Sequence, residues 1–233
     1  MSKNLKGIFI VLALCISTAW ADDVEDGEAA YAKKDYALAL RYFKIAAAQG
    51  LATAQFNLGV MYSKGRGIEQ DYAEAMRWHK LAAVQGNAKA QLNLGVMYEH
   101  GQGVVQDYAE AVRWYKMAAA QGLDSAQHNV GVMYGEGQGV AQDYAEAMRW
   151  YKMAAAQGNT NSQFNLGVMY SKGQGVRQDY IRAHMWYNLA GITGDADSVK
   201  NRDLVGKKMT TQQIAQAQKL ARECQARNFK NCD

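Results

Sequence analysis

The sequence predicts an all-α protein built as a solenoid of antiparallel helix hairpins, and three observations carry that reading. Asp-Tyr-Ala recurs at Asp35, Asp71, Asp107 and Asp143, with a decayed Asp-Tyr at Asp179, each start 36 residues after the last. A fixed period of this length belongs to repeat architectures in which each unit buries its apolar face against its neighbours. Within each period apolar residues recur three and four apart, the spacing of one helical face. The chain has no proline, and its 22 glycines fall at regular places, which suits helices broken by glycine turns and not a disordered chain.

Residues 1–21 stand apart from the repeats. Lys3 and Lys6 precede the apolar run Ile8 to Ile16, followed by Ser17-Thr18-Ala19-Trp20-Ala21. A basic start, a short apolar core and an Ala-x-Ala exit describe a secretory signal peptide cut after Ala21. The run is shorter than the ~18–20 residues that span a bilayer. An exported chain is therefore expected, periplasmic first, with secreted or surface-associated as alternatives. Cys15 would suit a lipoprotein, but Leu14 stands where such a cleavage site takes Gly, Ala or Ser. Losing Lys3 and Lys6 lowers the formal net charge from +4 to +2. That balance is too even for nucleic acid or an anionic membrane, which need clustered basic residues. Cys224 and Cys232 remain, and in an exported protein such a pair reads as a disulfide, two free thiols in a frayed tail being the alternative. No histidine lies near either in sequence, so a zinc site is not expected there.

Residues 24–50 form a shorter starting hairpin. Three residues separate Tyr31 from Asp35, against eight between Tyr62 and Asp71, so the first loop lacks a Gly-x-Gly insertion. Full units follow at about 52–86, 88–122, 124–158 and 160–194. Asp71 is an N-cap, its carboxylate placed to accept from first-turn amides. Tyr72, Ala75, Trp78 or His79, and Ala82 make the apolar stripe of the helix it opens, and Gly86 ends that helix. Ala88 to Tyr98 is the next helix, with Leu94, Met97 and Tyr98 turned to the partner, closed by Gly101 and Gly103. Short connections make successive helices antiparallel. Gly59, Gly95, Gly131 and Gly167 sit mid-helix, where glycine costs about 1 kcal/mol relative to alanine. They imply close helix approach, with alanines opposite and Trp78, Trp114, Trp150, Trp186 and Tyr42 alongside. Asp195 to Met209 exchanges the apolar helix for Lys200, Arg202 and Asp203, and Thr210 or Thr211 caps a last helix to about Arg222. Residues 195–233 are thus a polar capping hairpin and tail.

Asn57-Leu58-Gly59-Val60-Met61-Tyr62, then Gly65-Arg66-Gly67-Ile68, Asp71-Tyr72, Ala75, Trp78 and Ala82-Ala83 resemble a Sel-one-like repeat, a relative of the tetratricopeptide repeat. The likeness recurs in four full copies and covers nearly all of residues 24–225. It implies a right-handed α/α superhelix with a concave binding groove. It also implies a non-catalytic adaptor for a protein or peptide partner, here of the bacterial cell envelope, monomeric and without cofactor. Cysteine-rich members carry a β-lactamase label and a cysteine pair in each repeat. Those pairs are absent here, as is any Ser-x-x-Lys, so no catalytic residue is assigned. That hydrolase and a peptidoglycan- or glycan-binding module are the alternative functions.

Comparing the copies separates scaffold from surface. Gln55, Asn57, Gly59, Val60, Met61 and Tyr62 recur unchanged, whereas Leu51 to Thr53, Phe56, Ser63 and Lys64 vary. Positions 53, 56, 60, 63 and 64 fall on one helical stripe, which corresponds to the groove-lining positions of tetratricopeptide proteins. The candidate partner-binding stripe is Thr53, Phe56, Val60, Ser63, Lys64, then Lys89, Leu92, Val96, Glu99, His100. It continues as Ser125, His128, Val132, Gly135, Glu136, and ends with Asn161, Phe164, Val168, Ser171, Lys172. Apolar centres with charged edges suit an extended segment or helix with spaced anchors. His100 and His128 could share a pH-sensitive contact, but too few ligands accompany them for a metal site. His79 and His184 read as packing substitutions with a polar tip at the surface. The Gly-x-Gly turns follow helices and end them, unlike phosphate loops. Asn57 and its copies would hydrogen-bond across the hairpin turn.

Overall fold

The computed structural model describes residues 22–232; the leader and its cleavage after Ala21 lie outside them. Among the described residues there are twelve helices and no strand: α1 (22–32), α2 (Tyr36–Ala48), α3 (Ala52–Lys64), α4 (Tyr72–Val84), α5 (Ala88–His100), α6 (Tyr108–Ala120), α7 (Asp124–Glu136), α8 (Tyr144–Ala155), α9 (Thr160–Lys172), α10 (Tyr180–Gly191), α11 (Ala196–Gly206) and α12 (Thr211–Ala226). No helix among the described residues is long and apolar enough to cross a membrane. The fold is an all-α solenoid of consecutive helix pairs. It comprises two compact units, one to Asp107 with α1–α5 and one from Tyr108 with α6–α12.

The repeated aspartates cap as expected. Asp71 Oδ1 accepts from the Ala73 and Glu74 amides at 2.9 and 3.0 Å, and Asp143 does the same for α8. At the other end α3 stops where Gly65 takes φ 62°, a left-handed conformation that glycine adopts without steric cost. The glutamine that closes each Gly-x-Gly loop then returns to the helix: Gln70 Nε2 donates to the Ser63 carbonyl at 2.7 Å. Gln106, Gln142 and Gln178 do likewise with Glu99, Gly135 and Ser171. A carbonyl orphaned by the helix end is thereby satisfied in every copy.

The mid-helix glycines do mark close approach, but what stands opposite is an aromatic ring and not an alanine. A Cβ at Gly131 would lie 2.6 Å from the Tyr151 ring, and one at Gly167 would lie 2.6 Å from Tyr187. Gly59 faces His79 in the same way, and Gly27 in α1 faces Phe43. The starting hairpin thus obeys the same pairing despite its shorter loop. Glycine is needed because the ring lies flat on the helix backbone, where any side chain would displace it.

The second glycine of each turn does more than end a helix. A Cβ on Gly67 would meet the Tyr36 carbonyl oxygen at 2.7 Å, and one on Gly103 the Tyr72 carbonyl at 2.5 Å. Gly175 stands in the same relation to Tyr144. The loop within one hairpin is therefore pressed onto the first turn of the second helix of the hairpin before it. A buried amide ladder runs beside these contacts. Gln55 Nε2 donates to the Ala47 carbonyl while its Oε1 accepts from Gln85 at 2.8 Å. Gln127 repeats both bonds, with Ala119 and with Gln157. Buried amides kept this fully paired add specificity without an unsatisfied group.

Both chain ends are closed by distinct devices. Arg66 donates to the Tyr31 hydroxyl and stacks over the Tyr31 and Tyr36 rings, where later copies have Gln102, Gln138 and Gln174. Thr210 caps α12 in a full capping box with Gln213. The Cys224–Cys232 disulfide is formed, and both sulfurs join a core that includes Trp186, Leu189 and Ala221, with Phe229 packed against it.

Candidate functional site

The varying stripe lies on α3 and α5 in the first unit and on α7 and α9 in the second. Its members are exposed or half-buried throughout: Thr53, Lys64, Lys89, His100, Ser125, Glu136, Asn161 and Lys172 face solvent, and Phe56, Val60, Leu92, Val96, Val132, Phe164 and Val168 are half-buried. The unvarying Gln55, Gly59 and Met61 point inward and are buried. Helical periodicity separates the two sets, since residues three and four apart share a face.

In each unit this face carries a crevice between two stripe helices, and the two crevices are built from repeat-equivalent residues. The first has a volume of about 460 Å³, with His79 between Val60, Ser63 and Lys64 of α3 and Asn93, Val96 and Met97 of α5. The second, of about 190 Å³, has Tyr151 between Val132, Gly135 and Glu136 of α7 and Asn165, Val168 and Met169 of α9. Each partner lies 72 residues further along the chain. The mouths differ in charge, Lys64 in the first and Glu136 in the second. The first crevice also reaches Tyr31 and Phe56; Phe56 leans on His79 with ring centroids 5.7 Å apart, as Phe164 leans on Tyr187 at 5.5 Å.

The repeated asparagines serve these crevices. Asn57 reaches back to Glu28 of α1, Asn93 Nδ2 pairs with His79 Nε2 at 3.3 Å, and Asn165 hydrogen-bonds the Tyr151 hydroxyl. None spans a hairpin turn. Asn93 and Asn165 each join a stripe helix to the ring that forms the crevice floor, a role that spacing alone did not reveal.

His79 is not a surface residue with a polar tip: it is 1 % exposed, and its Nδ1 has no hydrogen-bond partner among the described residues. Burial lowers its pKa from 6.5 to about 4, which keeps the ring neutral. His184 is likewise buried, its pKa lowered by burial and then by Arg202. His128 is engaged inside the second unit, its Nδ1 2.9 Å from Ser162 Oγ. Ser162 stands where other copies have Ala54, Ala90 and Ala126. A polar ring on one helix is thus matched by a hydroxyl on the next. Burial outweighs nearby Asp124 and lowers the His128 pKa. Among the described residues no three His, Cys, Asp or Glu side chains converge as metal ligands do.

The family model described as Sel1 repeat matches residues 24–51, 52–87, 88–123, 124–159 and 160–192. Among solved structures, a protective antigen present in uropathogenic Escherichia coli strains and displaying an SLR fold is 38% identical, with a TM-score of 0.80 over 89% of this chain and 46% of that one. The present chain therefore spans under half the length of that antigen. A Sel1 repeat protein from Oxalobacter formigenes is 33% identical, with a TM-score of 0.70, over 88% of this chain and 78% of the other. A putative sel1 repeat protein from Klebsiella pneumoniae shares the fold at a TM-score of 0.53 and 20% identity, covering 80% of this chain and 93% of that one. No curated protein sequence matches.

Proposed function

The chain belongs to the Sel1 repeat family, and from that membership we propose a non-catalytic scaffold of the bacterial cell envelope that holds a polypeptide partner along its stripe helices. Sel1 repeat proteins are generally protein-interaction scaffolds, and protein partners follow from the repeats themselves. The observation that carries the finer reading is the division of α3, α5, α7 and α9. The invariant Gln55, Gly59 and Met61 and their copies are buried, whereas the varying positions 53, 56 and 64 and their copies are accessible, and with the invariant valine at position 60 they border repeat-equivalent crevices. A face that keeps its frame and changes its chemistry from copy to copy reads a sequence of different side chains. The reading of an exported, periplasmic scaffold is supported by the leader-like residues 1–21, with secretion or surface association as the alternatives.

The test is in-cell crosslinking and capture of the mature protein beside a Phe56→Glu, Leu92→Glu, Phe164→Glu variant whose circular dichroism is unchanged. A partner captured by wild type and lost by the folded variant supports the stripe as the working surface. A partner retained by the variant overturns it.

A further inference from the structure

We propose that the crevice over His79 is a specificity pocket for a tyrosine side chain of the bound polypeptide, an inference that rests on the stripe being the working surface. Position 79 breaks the protein's own rule. The equivalent residues are Phe43, Tyr115, Tyr151 and Tyr187, none of which carries a ring nitrogen, whereas the His79 Nδ1 is buried without a partner among the described residues. A position that departs from the local rule at a cost in stability is where function is expected.

The departure coincides with a geometric difference. The imidazole keeps, through Asn93, the asparagine contact that Tyr151 makes with Asn165, but it is shorter than a phenol. The crevice above it, which also extends to Tyr31 and Phe56, measures about 460 Å³, against about 190 Å³ above Tyr151. The larger volume falls in the range of about 300–1,000 Å³ typical of ligand sites. Phe56 and Tyr31 offer ring surface, Val96 and Met97 offer apolar surface, and the Asn57 and Gln102 amides lie within the same wall. A visiting ring would pack edge or face on those rings, and its hydroxyl would meet an amide. A carboxylate or ammonium pushed down to the His79 floor would be stripped of water among neutral groups, with Lys64 the charged residue of the lining. Lys64 stands at the mouth, exposed and in no ion pair among the described residues, so an acidic residue beside the tyrosine is favoured. The protein itself shows that a phenol suits this frame, because Tyr187 sits against Gly167 with Phe164 alongside.

The test uses N-acetyl-tyrosinamide, N-acetyl-leucinamide and N-acetyl-glutamic acid amide, titrated separately and followed by NMR on the His79 ring and the Asn93 side-chain amide. The tyrosine probe is expected to saturate those signals at a concentration at least tenfold below the other two. In His79→Tyr the crevice is filled, the fold is retained, and affinity for the tyrosine probe falls at least tenfold. Equal binding of the glutamate probe, equal binding by His79→Tyr, or signals that never move would each overturn the pocket. Partner capture separates this failure from that of the scaffold reading. A partner lost with Phe56→Glu but kept by His79→Tyr leaves the stripe standing and removes the pocket; a partner kept by both removes the stripe.

Discussion

A methyl group at residue 131 would stand 2.6 Å from the Tyr151 ring, whereas one at residue 135, a turn later in α7, would meet nothing closer than 3.7 Å. Gly131→Ala is therefore expected to destabilise the protein by about 1–3 kcal/mol through overpacking. Gly135→Ala should be neutral or stabilising by up to about 1 kcal/mol from helix propensity. Urea unfolding of the two variants checks the pair, and equal effects would refute the ring contact. His79→Tyr removes an unpartnered buried nitrogen and should stabilise by about 1–2 kcal/mol at pH 7.5. Because burial holds the folded pKa near 4, below its ordinary 6.5, the unfolded chain takes up a proton first as pH falls. Stability from the neutral ring is thus complete above about 6.5 and lost between there and about 4. The advantage of His79→Tyr should widen across that window, and a gap constant from pH 7.5 to 4.5 would refute the burial. His128 and His184 titrate in both proteins and cancel in the difference. That a glycine stood mid-helix was legible in the sequence. Its neighbour was not, because the long loop between the two helices sets the register between them.

Helix ends were the most legible elements, since Asp-Tyr starts and glycine stops act within one turn. The locks between hairpins were not, because they join residues a full repeat apart through backbone atoms common to every sequence. Gly103→Ala places a methyl 2.5 Å from the Tyr72 carbonyl at φ 70°, while Gly86→Ala, at φ 90°, meets nothing within 4 Å. Both should lose about 1 kcal/mol to the left-handed backbone. Gly103→Ala should lose further stability because the loop must lift from α4, and thermal melts of the two variants measure the excess. If they melt together, the loop does not lock the hairpins. The amide ladder was half legible. Invariant Gln55, Gln91, Gln127 and Gln163 marked scaffold, but their carbonyl partners carry no sequence signature.

At the scale of the whole molecule, the family resemblance, the hairpins and the polar cap were readable from periodicity, and the crevices were not. A crevice depends on the difference between a phenol and an imidazole buried on a neighbouring helix, which a list of surface positions does not contain. The C-terminal disulfide closes a loop of sequence separation 8, which corresponds to about 2–3 kcal/mol in the chain-entropy model. Reduction should lower the melting temperature by a few degrees without loss of helix signal. An unchanged midpoint would refute a stabilising bridge. The near-identity of the copies has a kinetic side. A chain whose α4, α6 and α8 share most of their residues can dock each helix in another's slot, shifted by one whole repeat, with little loss of contact energy. Among the described residues the Arg66–Tyr31 clasp and the Phe229-covered cap belong to one hairpin each. They are index marks that the interchangeable helices lack, giving a folding molecule two fixed points from which to count its repeats.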